Sequence, residues 1–218
     1  EAVHGFRMLG MLERLDGNLP ASGKAYDRAI AIDVSDPVLW VDIGRLRYGG
    51  GEQLQAIEAA EHALRLDPAN VRALEFRGQL VRDQFGLAGS LPWFEAALKQ
   101  APDDISVLGE YAATLGELGR AKDMLAATRK ILALDPKNAK ALFLQSVLAG
   151  RAGENGLARS LLAKTAGKFD GLPAKMLLEG VLELRAGNHL LAVEELERLV
   201  QWQPANERAQ SLLAAAYY

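Results

Sequence analysis

Apolar residues along this chain fall at the spacing of one helix face, and valine, isoleucine and threonine never gather into the alternating runs that a half-buried strand needs. The pattern predicts an all-α protein. It is also periodic on a longer scale: "LRLDPANVRAL" at 64–74 returns as "LALDPKNAKAL" at 132–142, with seven of eleven letters identical 68 residues later. Half of that separation is the true period. With residue 3 at column 1, the chain divides without insertion into units 3–36, 37–70, 71–104, 105–138, 139–172 and 173–206, and 207–218 begins a seventh.

The columns carry the argument. Column 15 reads Gly17, Gly51, Phe85, Gly119, Gly153, Gly187, and column 8 reads Gly10, Gly44, Gly78, Ala112, Ser146, Gly180. Column 32 reads Val34, Pro68, Pro102, Pro136, Asp170, Pro204; proline there stops a helix at a set place in each unit. Column 4 is bulky (Phe6, Trp40, Leu74, Leu108, Leu142, Met176), and column 27 starts small (Ala29, Ala63, Ala97). Each unit thus reads as an apolar-striped helix, a glycine turn, a second striped helix and a stop. Such a unit cannot bury its apolar face alone, and stacked copies build a continuous core.

This arrangement resembles the tetratricopeptide repeat. That signature of bulky, small, aromatic and proline positions is met by Trp40, Gly44, Ala56, Ala63 and Pro68, and again by Gly78, Phe94, Ala97 and Pro102. The resemblance implies a right-handed α-solenoid of stacked helix-turn-helix repeats, one domain over 1–218. Two departures set expectations. Met124, Thr128 and Ile131 stand where small, aromatic and small residues belong, which predicts looser packing at 124–131; "KFDGLP" with Asp170 in the proline column predicts an altered step near 167–173. The last segment, "ERAQSLLAAAYY", reads as a striped helix with no partner, a candidate for self-association through 207–218.

Composition narrows the function. Lysine and arginine number 25 against 28 acidic residues, a formal charge of −3, so nothing points to nucleic acid. Cysteine is absent, which excludes disulfides and thiolate chemistry. No apolar run approaches the roughly 18–20 residues that span a bilayer. The chain begins at Glu1 without a methionine and reads as an excised or processed segment, compatible with bacterial cytoplasm or periplasm. "GNLPASGKAY" departs from a phosphate loop in spacing and in lacking serine or threonine after Lys24. "YGGGE" at 48–52 is explained by its interhelix turn, and His4, His62 and His189 lie in three different units. No catalytic, cofactor or metal site is expected.

In the family resembled, columns 2, 5, 9, 12 and 13 face a concave groove. On those 30 positions stand Arg7, Arg14, Arg45, Arg72, Arg82, Lys140, Arg151 and Arg185 against Glu75, Asp83 and Glu117, so an acidic chain presents a basic inner face. The later units add Phe143, Val147, Leu177, Val181 and Leu184. The family's clamp for a terminal carboxylate needs lysine at column 5 with asparagines at columns 9 and 6, and is absent. The reading is a non-enzymatic scaffold that binds an amphipathic, partly acidic peptide or protein segment through Arg45, Arg72, Arg82, Phe143, Val147, Leu177 and Arg185. The alternatives are a self-association module stacking through its terminal helix, or a regulatory arm of a larger bacterial envelope-assembly, secretion or polysaccharide-export protein.

Overall fold

The structure is a computed structural model describing residues 2–218. Among the described residues there are thirteen helices and no strand. The chain divides into two compact units, Glu1–Leu118 and Gly119–Tyr218. The first holds α1 (Ala2–Leu15), α2 (Leu19–Ile32), α3 (Pro37–Gly49), α4 (Gln53–Leu66), α5 (Val71–Phe85), α6 (Leu87–Gln100) and α7 (Ile105–Glu117). The second holds α8 (Ala121–Leu134), α9 (Ala139–Ala152), α10 (Asn155–Ala163), α11 (Pro173–Arg185), α12 (His189–Trp202) and α13 (Glu207–Ala216). From α3 onward, odd-numbered helices start at column 1, and every even-numbered helix starts at column 17. The fold is the all-α repeat solenoid that the columns predict.

Two turns set this register. After each odd helix a residue in left-handed backbone reverses the chain: Gly17, Gly51, Gly119, Gly153 and Gly187 have φ between 76° and 84°. Where Phe85 occupies that column, the next residue, Gly86, takes φ 88°, and α5 runs to 15 residues. After even helices the stretch that first betrayed the repeat forms a closed hydrogen-bonded link. Ala69 N donates to Asp67 Oδ1 (3.0 Å), Asn70 Nδ2 donates to Asp67 Oδ2 (3.2 Å), and Asn70 Oδ1 accepts from Ala73 N (3.1 Å), capping α5. Lys137, Asn138, Asp135 and Ala141 repeat the same three bonds before α9. Asp-Pro-x-Asn is therefore a helix stop followed two residues later by an N-cap.

Paired helices approach closely because column 8 is small and the residue over it is large. A Cβ on Gly10 would lie 2.5 Å from the Tyr26 ring, one on Gly78 2.7 Å from Phe94, and one on Gly180 2.7 Å from Leu196. In the second repeat the opposing position is Ala60, and Phe76 from the following helix α5 fills the space over Gly44 instead, at 2.6 Å. Tyr26, Phe94 and Leu196 are accordingly fully buried, each at the centre of its hairpin.

Two expectations need correction. Met124, Thr128 and Ile131 are all buried, and the Thr128 hydroxyl is satisfied by Met124 O (2.9 Å) and by Gln145 Nε2 (3.2 Å), so the loosening expected at 124–131 is not seen. Nor is 207–218 without a partner: Ala209 packs with Met176 and Leu199, and Ala216 with Ala192 and Leu196. The departure at 167–173 does change the backbone. α10 stops after 9 residues where the other even helices run 14. The link beyond it carries φ of 51°, 74° and 81° at Ala166, Gly167 and Gly171, and Leu172 offers no side-chain cap to α11.

Gly78→Ala should lower stability by about 1–3 kcal/mol, because the methyl must displace the buried Phe94 ring. Gly156→Ala, where an added Cβ meets nothing within 4 Å, should raise it by about 0.5 kcal/mol. Urea unfolding of the two variants checks both signs.

Candidate functional site

The odd helices of each unit present one face built from columns 2, 5, 9, 12 and 13, and the two units finish that face differently. In the first unit it is polar and internally matched. Arg7 meets Asp36 (3.6 Å) and Asp42 (3.7 Å). Arg45 meets Glu75 at 3.4 Å and lies over the Phe76 ring, and Ser106 Oγ donates to the other Glu75 oxygen at 2.6 Å. Arg82 meets Glu110 at 2.8 Å and Asp83 at 3.8 Å, and the Tyr48 hydroxyl donates to Asp83. Two of the sequence-predicted basic residues, Arg45 and Arg82, are thus engaged by carboxylates of neighbouring odd helices. Arg72 is exposed and stands in the field of Asp42.

Asp42 and Glu75 are the buried acids of this face. Burial pushes the Asp42 carboxyl above its usual range, and the attraction of Arg7, Arg45, Arg72 and Arg14 offsets only part of that. A buried carboxylate with such neighbours is a structural knot: removing one partner strands the other, at a typical cost of about 3–5 kcal/mol. The first-unit face therefore spends much of its basic charge on its own acids.

In the second unit α9, α11 and α13 line a half-open cavity of about 200 Å³. Val147, Leu177, Leu178 and Val181 supply its apolar wall, Gly150 and Ala174 leave room, and Arg151, Arg185 and Arg208 stand around it. None of the lining residues is acidic. Arg185 is held by neutral acceptors: its Nη1 donates to Gly150 O (2.5 Å) and to Asn155 Oδ1 (3.1 Å), so its position is set while its charge stays uncompensated there. The structure brings together Val147, Leu177 and Arg185 of the sequence-predicted set, within one unit. Phe143 is not part of this wall. It is buried one turn away, stacked on Phe169 of the irregular link with ring centroids 4.9 Å apart.

Arg208 is a lining residue that the sequence reading passed over, because the column count ended with the sixth complete unit. Its signal was present: it occupies column 2, as do Arg72 and Lys140. On the opposite side of α11, Glu183 accepts from Arg159 and from Asn188 Nδ2 (2.7 Å), which holds its carboxyl below the usual range; Arg159 also reaches Leu182 O at 2.9 Å. Among the described residues no group of three or more His, Asp or Glu side chains is placed to share a metal ion, and no helix is long and apolar enough to cross a membrane.

With this geometry in view, the comparisons with known proteins are consistent. A family model described as "Tetratricopeptide repeat" matches residues 41–105, in register with α3 to α6. That match shows tetratricopeptide repeats within residues 41–105. The type IV pilus biogenesis factor PilW superimposes with a TM-score of 0.75 at 18% identity, covering 98% of this chain and 99% of that one. Pseudomonas aeruginosa pilF gives 0.78 at 18% identity over 98% and 97%. YrrB, described as a TPR protein with an unusual peptide-binding site, gives 0.58 at 20% identity over 86% and 96%. Identities this low show the fold alone. Among curated proteins, the Arabidopsis thaliana "Protein CTR9 homolog" is 29% identical over 127 residues, 56% of this chain and 11% of that much longer protein. Proteins of this repeat family are generally non-catalytic scaffolds for protein interaction.

Asp42 and Glu183, perturbed in opposite directions, make opposite predictions. Asp42 is raised, so the fold favours its protonated form; its contribution is fully present below the ordinary value of 3.8 and is lost as pH rises through the raised folded value. Glu183 is lowered, so its contribution is present above the ordinary 4.5 and lost as pH falls through the lowered folded value. The stability of wild type relative to Asp42→Asn should therefore fall with rising pH, and relative to Glu183→Gln it should rise. Chemical denaturation at a series of pH values reads both slopes.

Proposed function

We propose that this protein performs no catalysis and binds a segment of a partner protein on the odd-helix face, the segment being amphipathic with acidic residues. The observation that carries this reading is the cavity of α9, α11 and α13: an apolar wall ringed by three guanidinium groups, with no acid among its lining residues. An apolar side chain entering it gives up water contact at roughly 25 cal/mol per Å² of apolar surface. The surrounding arginines present planar forks suited to carboxylates. Support also comes from the fold, since stacked helical repeats offer extended surfaces that bind extended or helical segments, and from YrrB, a structural neighbour described as having a peptide-binding site.

The matched first-unit face is assigned the secondary role. Its arginines must leave Glu75, Asp83 or Glu110 before they can hold a ligand's carboxylate, which subtracts from any gain. This ranking differs from one that weights every basic groove position equally.

A phage-displayed random peptide library selected on the protein tests the reading. Binders should weaken by about tenfold or more, roughly 1.4 kcal/mol, on Val181→Asp, and more on charge reversal of Arg185 and Arg208 than on reversal of Arg45, Arg72 and Arg82, with circular dichroism confirming helix content. Binders indifferent to Val181→Asp and to both reversals would remove the odd-helix face as the site.

A further inference from the structure

On the reading just given, we infer that the second-unit cavity recognises one aliphatic side chain flanked by two acidic side chains within a partner's polypeptide. Size is the first argument. At about 200 Å³ the cavity falls below the roughly 300–1,000 Å³ typical of small-molecule pockets, and it suits a single inserted side chain. Its wall of Val147, Leu177, Leu178 and Val181 offers that side chain no hydrogen-bond partner, so the anchor is aliphatic.

Charge is the second. Arg185 is fixed by two neutral acceptors and Arg208 comes from a different helix, so two cations, one of them held in place, border one apolar slot. A free phosphate would neutralise them and leave the slot empty. A chain terminus beside an aliphatic residue would fill the slot and supply only one carboxylate. An acid on each side of an aliphatic residue, inside a continuous chain, supplies both anions and the anchor together. The contrast with the first unit strengthens this: there each ion-paired arginine of the face meets a carboxylate of the protein itself, whereas here the matching acids are left for the ligand to bring.

The test is fluorescence anisotropy with the whole chain and a fluorescein-labelled, C-terminally amidated peptide whose core is Asp-Leu-Glu. Comparison peptides carry Asn-Leu-Gln, Asp-Ser-Glu, or a neutral core ending in leucine with a free carboxylate. Removing either the acids or the leucine should weaken binding by about tenfold or more, a change of roughly 1.4 kcal/mol, and Arg185→Gln with Arg208→Gln should erase the preference for Asp-Leu-Glu over Asn-Leu-Gln while leaving the helical spectrum unchanged. Both arginines are exposed, so this variant is expected to fold. Equal binding of Asn-Leu-Gln and Asp-Leu-Glu, both lost in Val181→Asp, would overturn the acidic requirement and leave the proposed function standing. Preference for the free-carboxylate peptide would overturn it in favour of a chain terminus. Failure of Asp-Leu-Glu to bind, while library-selected binders lacking acids depend on Val181, would overturn it as well; binders indifferent to Val181 would remove both.

Discussion

Everything in this molecule rests on how closely two helices of one repeat can approach. The ring of Tyr26 or Phe94, or the branched end of Leu196, lies directly on the backbone of a glycine in the partner helix, with no room for a Cβ between them. That contact fixes the spacing within the first, third and sixth hairpins, and close packing then carries it outward, because interiors at crystal-like density tolerate neither gaps nor overlap. The second repeat shows that the constraint lies in volume and not in residue identity. Where Ala60 leaves space over Gly44, Phe76 arrives from the next helix to fill it. The fourth repeat shows the same through Met124, Thr128 and Ile131, three departures from the family pattern that are all buried.

Once hairpins stack at one register within a unit, the odd helices of that unit align and their columns face the same way. Function is then written on an existing surface by choosing what each column presents. The first unit presents arginines and acids in register, and they satisfy one another through Arg7, Asp42, Arg45, Glu75, Arg82 and Glu110. Such a face gains definition of helix spacing more than net stability, since buried ion pairs return little beyond their desolvation. The second unit lines its cavity with aliphatic residues and arginines, and no acid stands among them. A surface left electrostatically incomplete in this way is suited to a partner that completes it.

The irregular link at 164–172 is where the repeat rule is relaxed. It lacks both the proline that ends four of the other repeats and the Asp or Asn side-chain cap that follows all five, and the shortened α10 leaves Phe169 to stack on Phe143. Phe143 stands at a groove column, and from the sequence it belongs with Val147 and Leu177. In the structure its ring is covered by a residue 26 positions later, in a segment whose path no column pattern describes.

Architecture was legible because it depends on local rules repeated at one period. A glycine with φ near 80° reverses the chain, Asp-Pro-x-Asn ends one helix and caps the next, and small-against-large columns pack them. Each rule involves residues a few positions apart, so the 34-residue phase displayed them directly. Which arginines are available to a ligand was not legible, because Arg45 pairs with Glu75 and Arg82 with Glu110 across about one repeat, and a column count adds such charges without pairing them. Arg208 entered the site only when α13 docked against α11 and α12 and carried it to the rim. The sequence by itself determined the repeat and the columns at which its helices begin. Only the tertiary structure decided where on the odd-helix face positive charge remains unmatched, since matching is a property of distances between helices, and these are set by packing.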